Sequence, residues 1–140
     1  NATMIFLNEI HKNKYLQLVN EAQIHEQDLE RKALFYIISG GNDLFRKKNT
    51  IYDFYDNYIK INCLNSTHID FCTSSQNLIR LGFNLYNGYK DDFTNPLWIL
   101  SALDPINFTL ATHAINIRFN KTMALAFMDD REMLGNNPSA

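Results

Sequence analysis

A chain of 140 residues, 46% of them apolar, is long enough to bury a hydrophobic core without disulfides or a structural metal. Its formal net charge of −2, from 13 basic and 15 acidic side chains, argues against non-specific nucleic-acid binding as the main role. Two cysteines do not make a disulfide framework, and there is neither a signal peptide nor an apolar run that could span a membrane, so we expect a cytoplasmic protein.

The first forty residues predict two helices. Residues 7–22 carry a narrow stripe at helical spacing, which indicates a helix on the surface of a bundle. The stripe consists of Leu7, Ile10, Lys14, Leu18 and Val19. A second helix begins at Asp28, a residue type that caps helix N-termini well. Its last turns are apolar on all sides, so we expect them to be buried. The following Gly40-Gly41 is expected to supply a left-handed residue that ends the helix.

The next segment combines a third helix with a loop. Asn42-Asp43 can cap this helix, in which Ile51 and Tyr52 would face the core. Residues 58–73 lack clean periodicity, and we expect a loop with at most one short turn.

Residues 74–120 carry the clearest helical signals. A helix over residues 75–87 is followed by Gly88, which suits the left-handed position after a helix C-terminus. Gly82 lies on the apolar face of this helix, where a glycine indicates the close approach of a neighbouring helix.

Two further helices begin with proline. Asn95-Pro96 starts a short one, and Asp104-Pro105 starts a longer one that continues to about Asn120. The longer helix is apolar around most of its circumference, so we expect its neighbours to cover it on nearly all sides.

These patterns predict an all-α fold, a compact bundle of about five to seven helices around a central helix near residues 105–120. Residues 3–121 would form a single helical domain. Residues 122–140 form a tail that is too apolar to be solvated, as Met123 and Phe127 illustrate. We expect this tail to dock on the domain or on a neighbouring subunit.

A polar face on the helix over residues 75–87 is the main candidate for a ligand or partner surface. Its members, with two adjacent tyrosines, are Asn77, Arg80, Asn84, Asn87, Tyr86 and Tyr89. Asparagine is a weak helix former, and three asparagines around one arginine would suit an anionic or peptide ligand. The alternative is an ordinary solvated surface.

Residue types that bind metals are concentrated in the loop. Two thiolates, an imidazole and a carboxylate could bind Zn²⁺: Cys63, His68, Asp70 and Cys72. The spacing lacks the C-x₂-C pair of zinc fingers, so these are weak candidates, and we expect no metal or other cofactor. Cys72 could be a nucleophile near a helix N-terminus, with His68 or His113 as its base, but a buried, inert cysteine is the simpler hypothesis.

An enzyme or a small-molecule-binding protein is an alternative. Its pocket would be lined by Arg80, Tyr86, Tyr89 and His113. The adjacent acids Asp91-Asp92 do not support acid–base catalysis, because neighbouring loop carboxylates are more often solvated. The sequence therefore favours a protein without enzymatic activity.

DNA binding is a second alternative. The second and third helices with their glycine turn are similar to a helix-turn-helix, which would direct Arg46, Lys47 and Lys48 towards a major groove. Asp43 and Asp53 in the same segment oppose this interpretation, and nucleic acid is not expected to be the partner.

Three segments carry a resemblance to a known family. Residues 28–40 (DLERKALFYIISG), 77–89 (NLIRLGFNLYNGY) and 116–119 (NIRF) resemble a family of small uncharacterised proteins of Gram-positive bacteria. The similarity covers about residues 5–121. It implies a bacterial cytoplasmic protein and assigns no functional residues.

Taken together, these features favour a non-enzymatic binding or regulatory module that acts through a protein partner or its own dimer. The apolar tail and the polar face are the observations on which this hypothesis depends.

Overall fold

The computed structural model describes residues 3–122 and 129–135, and this part of the chain is mostly helical. The predicted all-α fold is confirmed, with a minor two-stranded hairpin. In chain order the elements are α1 (Glu9–Ala22), α2 (Leu29–Gly40), α3 (Asn42–Arg46), α4 (Lys48–Ile51), β1 (Tyr52–Asp53), β2 (Tyr58–Ile59), a 3₁₀ helix (Ile61–Leu64), α5 (Thr73–Asn87), α6 (Pro96–Ser101), α7 (Pro105–Phe119) and α8 (Asp130–Met133).

Helix α2 lies at the centre of the molecule. All residues from 33 to 39 are buried, and α1, α5 and α7 pack around them. The N-cap at Asp28 is confirmed, since its side chain accepts a hydrogen bond from the Arg31 N–H. The expected burial of the last turns of this helix is also confirmed.

Helix α7 is not the central helix that its composition suggests. Its inward face packs against α2 and α5 through Leu110, Ala111, Ala114 and Ile117. Its remaining apolar residues lie partly in solvent, with Ile106 66% and Phe119 59% exposed. Its neighbours within the described residues therefore cover one face of α7 and leave the rest of the helix partly in solvent.

Two glycines allow helices to approach α2 closely. The expected close contact at Gly82 is confirmed, because a Cβ there would lie 2.9 Å from Leu34 Cδ1 of α2. Gly40 performs the same function for α7, since a Cβ at this position would lie 2.8 Å from Leu110 Cδ2. The prediction of a left-handed residue after α2 is wrong, because Gly41 is extended, with φ −123°.

Helix α1 packs through only part of the predicted stripe, of which Leu18 is buried and Leu7 and Val19 contact the core. His11, Tyr15 and Leu18 are buried, whereas Ile10 is 63% exposed. The helix begins one residue after Asn8, whose side chain accepts a hydrogen bond from the His11 N–H. His11 and Tyr15 were not expected on the buried face, so the centre of the observed stripe is rotated from that of the predicted one.

His11 is buried with both ring nitrogens bonded. Nδ1 accepts a hydrogen bond from the Leu7 N–H at 3.1 Å, and Nε2 lies 2.9 Å from the carbonyl oxygen of Tyr36. Because that carbonyl can only accept, the proton is on Nε2 and the ring is neutral. Burial lowers the pKa of His11, and the nearby charges of His113 and Lys14 lower it further, against the opposing effect of the Tyr36 carbonyl.

The predicted third helix is shorter than expected. It divides into α3 and α4, and Tyr52 enters a hairpin in which it pairs with Ile59. The Asp53 side chain accepts hydrogen bonds from the N–H groups of Tyr55 and Asp56, and Asn57 adopts a positive φ of 58°. This local side-chain bonding favours a turn over continued helix.

The remaining predicted helix ends agree with the structure. Gly88 follows α5 with φ 82°, and Asn95 and Asp104 cap α6 and α7 through their side chains. Residues 60–72 contain the 3₁₀ helix and otherwise lack regular structure, close to the expected loop with a short turn.

The predicted docking of the tail falls largely outside the described residues. Met123 and Phe127, on which that expectation depends, belong to the part that is not described, and of the tail's described apolar side chains Leu134 is 81% exposed. Throughout residues 3–122 and 129–135, no helix combines the length and apolar character needed to cross a bilayer.

We expect Gly40→Ala to lower the free energy of unfolding by about 1–3 kcal/mol, because the new methyl group overlaps the buried Leu110 side chain. Leu110→Ala alone should cost about 2–5 kcal/mol. The double variant should lose less free energy of unfolding than the sum of the two single losses, since the shortened side chain makes room for the methyl group. Urea unfolding of the four proteins measures this coupling, and strict additivity would contradict the contact.

We expect the stability of the protein to fall as the pH drops below about 6.5, because the unfolded state then binds a proton that folded His11 resists. The slope contributed by this residue is at most about 1.4 kcal/mol per pH unit. This pH dependence of the stability should disappear in His11→Asn and persist in His25→Gln, which alters an exposed histidine. Urea unfolding between pH 5 and 7.5 provides the measurement.

Candidate functional site

The polar face of α5 is largely covered by the chain that follows it. Asn77 is 1% exposed and Arg80 8%, so the alternative of an ordinary solvated surface is wrong for these two residues. Asn84 is partly buried and Asn87 is exposed. The face lies beneath residues 88–101, which fold back across α5 and contain α6.

Arg80 is the centre of this arrangement. Its Nε donates to Asp91 Oδ2 at 2.9 Å, and its Nη1 donates to Asn77 Oδ1 at 3.1 Å. The guanidinium carbon lies 5.3 Å from the centre of the Phe93 ring, within cation–π distance. The planar guanidinium thus binds a carboxylate, an amide and an aromatic ring at the same time, which a lysine could not do.

The asparagines of the face bind backbone groups of the covering segment. Asn77 Nδ2 donates to the carbonyl oxygen of Trp98 at 3.4 Å, and Asn84 Nδ2 donates to that of Tyr89 at 3.0 Å. The Asn87 side chain accepts from the Tyr89 N–H at 3.0 Å. The polar face therefore fastens residues 88–101 to α5.

Asp91 links the covering segment to Arg80. Burial alone would raise its pKa, but hydrogen bonds from Arg80, Thr94 and the Phe93 N–H outweigh burial and hold the pKa below its usual value. The expectation that Asp91 and Asp92 are both solvated is wrong for Asp91, while Asp92 is exposed. We call the four residues Asn77, Arg80, Asn84 and Asp91 the polar network.

The outer side of the covering segment is apolar. Phe93 and Trp98 pack with their ring centres 4.6 Å apart, and they are 42% and 47% exposed. Leu97 lies between them in sequence and is 82% exposed. We call Phe93, Leu97 and Trp98 the α6 patch. The sequence interpretation missed this patch, although four consecutive large apolar residues, 97–100, follow Pro96 in the sequence.

A small groove lies beside the α6 patch, between α6 and α7. Its volume is about 110 Å³, and Leu81 and Asn84 of α5, Ile115 of α7 and several residues of the covering segment line it. The segment residues are Thr94, Asn95, Pro96, Ile99 and Leu100. The groove is predominantly apolar.

The four residues of the proposed enzyme pocket do not converge on one another. Tyr89 approaches Arg80 through Asp91, whose Oδ2 is 3.4 Å from the Tyr89 hydroxyl. Tyr86 instead meets the hydroxyl of Tyr52 at 3.1 Å and donates to the carbonyl oxygen of Asn57. His113 acts electrostatically on His11 of α1. These partners direct the side chains to different parts of the molecule.

The residues proposed for a metal site or a nucleophile have separate environments. Cys63 is buried, which raises its pKa to about 12, whereas Cys72 is exposed at the N-cap of α5. Hydrogen bonds with Ser74 and Ser75 lower the pKa of Cys72. The described residues contain no group of three or more His, Cys, Asp or Glu side chains that could hold a metal ion, so His68 and Asp70 do not complete one with these thiols.

The basic residues proposed for DNA binding do not lie on a recognition helix. Arg46 ends α3, which has five residues, and its Nη2 pairs with Asp43 Oδ1 at 2.6 Å. Lys47 donates to the carbonyl oxygen of Asp70, and Lys48 lies over the ring of Phe45. Such a short helix cannot present several side chains along a major groove.

We expect Arg80→Met to lower the free energy of unfolding by about 1–3 kcal/mol, because it leaves Asp91 and Asn77 without their shared partner. Amide hydrogen exchange in residues 88–101 should accelerate more than in α2. Asp92→Asn, which changes an exposed neighbour, serves as the matched control.

The ion pair between Arg80 and Asp91 also predicts how stability depends on pH in the acid range. Because the folded-state pKa of Asp91 lies below its unfolded value, its stabilisation is present above about pH 4 and is lost as the pH falls through the folded-state pKa. This loss should be smaller in Arg80→Met. An identical acid dependence in both proteins would contradict the assigned role of the pair.

The sequence comparisons place the chain in a family. No curated protein and no solved structure matches it at a significant level. Residues 1–130 match the model of a family of unknown function (DUF6075), which covers most of the sequence, including the polar network and the α6 patch. The protein is therefore a member of this family of unknown function.

Proposed function

We propose that this protein is a non-enzymatic binding module that acts through protein–protein contacts made by the α6 patch. The observation that carries the proposal is that a rigid internal support holds large apolar side chains in solvent. Phe93 is fixed by the Arg80 guanidinium beneath it, and the backbone of Trp98 is bound by Asn77. Exposed apolar surface of this kind is typical of interaction sites.

The chemistry of the polar network supports a structural role for it rather than catalysis. Arg80 bonds both Asn77 and Asp91, and Asn77 and Arg80 are buried, so a substrate in solvent has little access to them. The polar face thus takes part in partner binding indirectly, by positioning the covering segment. Asn87 and Tyr89 remain part of the proposed surface, whereas Tyr86 is directed towards the hairpin.

The size of the groove favours a protein side chain over a metabolite. Sites for small molecules usually enclose about 300–1,000 Å³. The groove between α6 and α7 has about 110 Å³ and an apolar lining, which suits one aliphatic side chain inserted from a partner. This is the anchoring mode of many protein interfaces.

We propose a second copy of this chain as the partner. Helix α6, which lines the groove with Pro96, Ile99 and Leu100, also carries Leu97, an aliphatic side chain that is 82% exposed. A two-fold axis could therefore bring each Leu97 to the partner's groove. A net charge of −2 gives little repulsion between copies.

Leu97→Asp should weaken dimerisation by at least about a hundredfold, because a symmetric interface would lose two buried leucines. Light scattering after size-exclusion chromatography over about 10–500 µM measures the change. Tyr55→Asp is the matched control, since Tyr55 is 92% exposed at the hairpin turn, and it should leave dimerisation unchanged.

Two outcomes would contradict this proposal. A wild-type protein that is monomeric throughout the concentration range would exclude the second copy as partner. A dimer that survives Leu97→Asp but dissociates in full-length Phe127→Asp would assign the assembly to the apolar tail, the other interface expected from the sequence.

A cytoplasmic location in a Gram-positive bacterium completes the proposal. Its support is the resemblance of residues 28–40 and 77–89 to bacterial proteins, together with the free thiols of Cys63 and Cys72. An exposed free thiol is better tolerated in a reducing compartment.

A further inference from the structure

A second cavity lies on another part of the surface from the α6 patch. It is a cleft of about 370 Å³ between the start of α1, the end of α2 and the first turn of α7. Its volume falls within the range of sites for small molecules. Its lining combines one cation, several neutral polar groups and three aliphatic side chains.

The cation of the cleft is Lys14. Its ammonium group donates to Asn42 Oδ1 at 3.2 Å and lies 5.0 Å from the centre of the Phe45 ring. Among the ion pairs of residues 3–122 and 129–135, none involves Lys14. The cleft therefore has a positive charge that no carboxylate neutralises within this part of the chain.

Three aliphatic side chains, Leu7, Ile10 and Ile106, form the apolar part of the cleft, and the two isoleucines are the most exposed of them. Ile10 of α1 is 63% exposed and Ile106 of α7 is 66% exposed, and both line the cavity. These large aliphatic side chains would be removed from water by a ligand that carries a hydrocarbon chain.

The remaining polar groups of the wall are neutral. His11 has both ring nitrogens bonded within the protein, and the Ser39 hydroxyl donates to the carbonyl oxygen of Tyr36. The charged or titratable groups that act on His11 are Lys14 on its own helix and His113 on α7. An anion in the cleft would be attracted by the charge of Lys14.

We infer that this cleft binds a small aliphatic carboxylate, with the carboxylate at Lys14 and the Asn42 amide and the hydrocarbon chain between Ile10 and Ile106. A single lysine suits a singly charged carboxylate better than a phosphate, which proteins usually bind with several donors or with arginine. This inference does not depend on the proposed dimer, because the two sites share no lining residue.

Titration of the full-length protein with sodium hexanoate, followed by NMR, tests this site. We expect binding in about the millimolar range, with shifts at Lys14, Ile10 and Ile106. The pKa of His11 should rise on binding, because a nearby anion favours the protonated ring. Hexan-1-ol, which lacks the charge, and inorganic phosphate, which lacks the chain, should each bind at least about tenfold more weakly.

Two variants make the test specific. Lys14→Met should weaken hexanoate binding about tenfold, whereas Lys12→Met, which removes an exposed charge on the same helix, should have no effect. Ile106→Glu adds an anion to the wall and should abolish binding. Because Ile106 is 66% exposed, the substitution should leave the fold intact. Thermal unfolding checks each fold.

Three results would overturn the inference. These are the absence of shifts in the cleft at 50 mM hexanoate, equal affinities of Lys14→Met and Lys12→Met, and phosphate binding as tight as hexanoate binding. The last would reassign the site to inorganic anions.

Discussion

The enclosure of α2 is the constraint on which the rest of the structure depends. A run of buried residues from 33 to 39 occupies every face of the helix, so water can be excluded only if neighbours pack on all of its sides. Helices α1, α5 and α7 meet this requirement. Gly40 and Gly82 permit two of them to approach closely, because neither glycine has a side chain to separate the backbones.

Helix α5 packs against α2 on one side, and residues 88–101 cover its opposite side. The polar network holds this cover in place, because Arg80 binds Asp91 and Asn77 while Asn84 binds the backbone of Tyr89. These bonds hold residues 88–101 across α5. The apolar residues of that segment then divide into an inner group, represented by buried Ile99, and the outer α6 patch. Exposure of the patch is thus a consequence of how α5 is covered.

The fold and the candidate sites were predictable to different degrees. The helices and their caps at Asp28, Asn95 and Asp104 follow from the sequence, as does the close contact at Gly82. The buried faces of α1 and the role of Arg80 did not, because periodicity shows that a stripe exists without showing what covers it. The asparagine-rich stripe of α5 indicates a solvent-facing surface as long as the partner of Arg80, which is Asp91, is not known.

The sequence by itself determined where most helices begin and end, since a cap such as Asp104 bonds an N–H three residues away and needs no distant partner. Only the tertiary structure decided that α2 rather than α7 is the core, that Arg80 faces Asp91, and that Ile10 and Ile106 line one cleft. The physical reason is the distance along the chain over which the deciding interactions act. Helix ends depend on neighbours along the chain, whereas the burial of a face depends on segments brought together by the packing of the whole molecule.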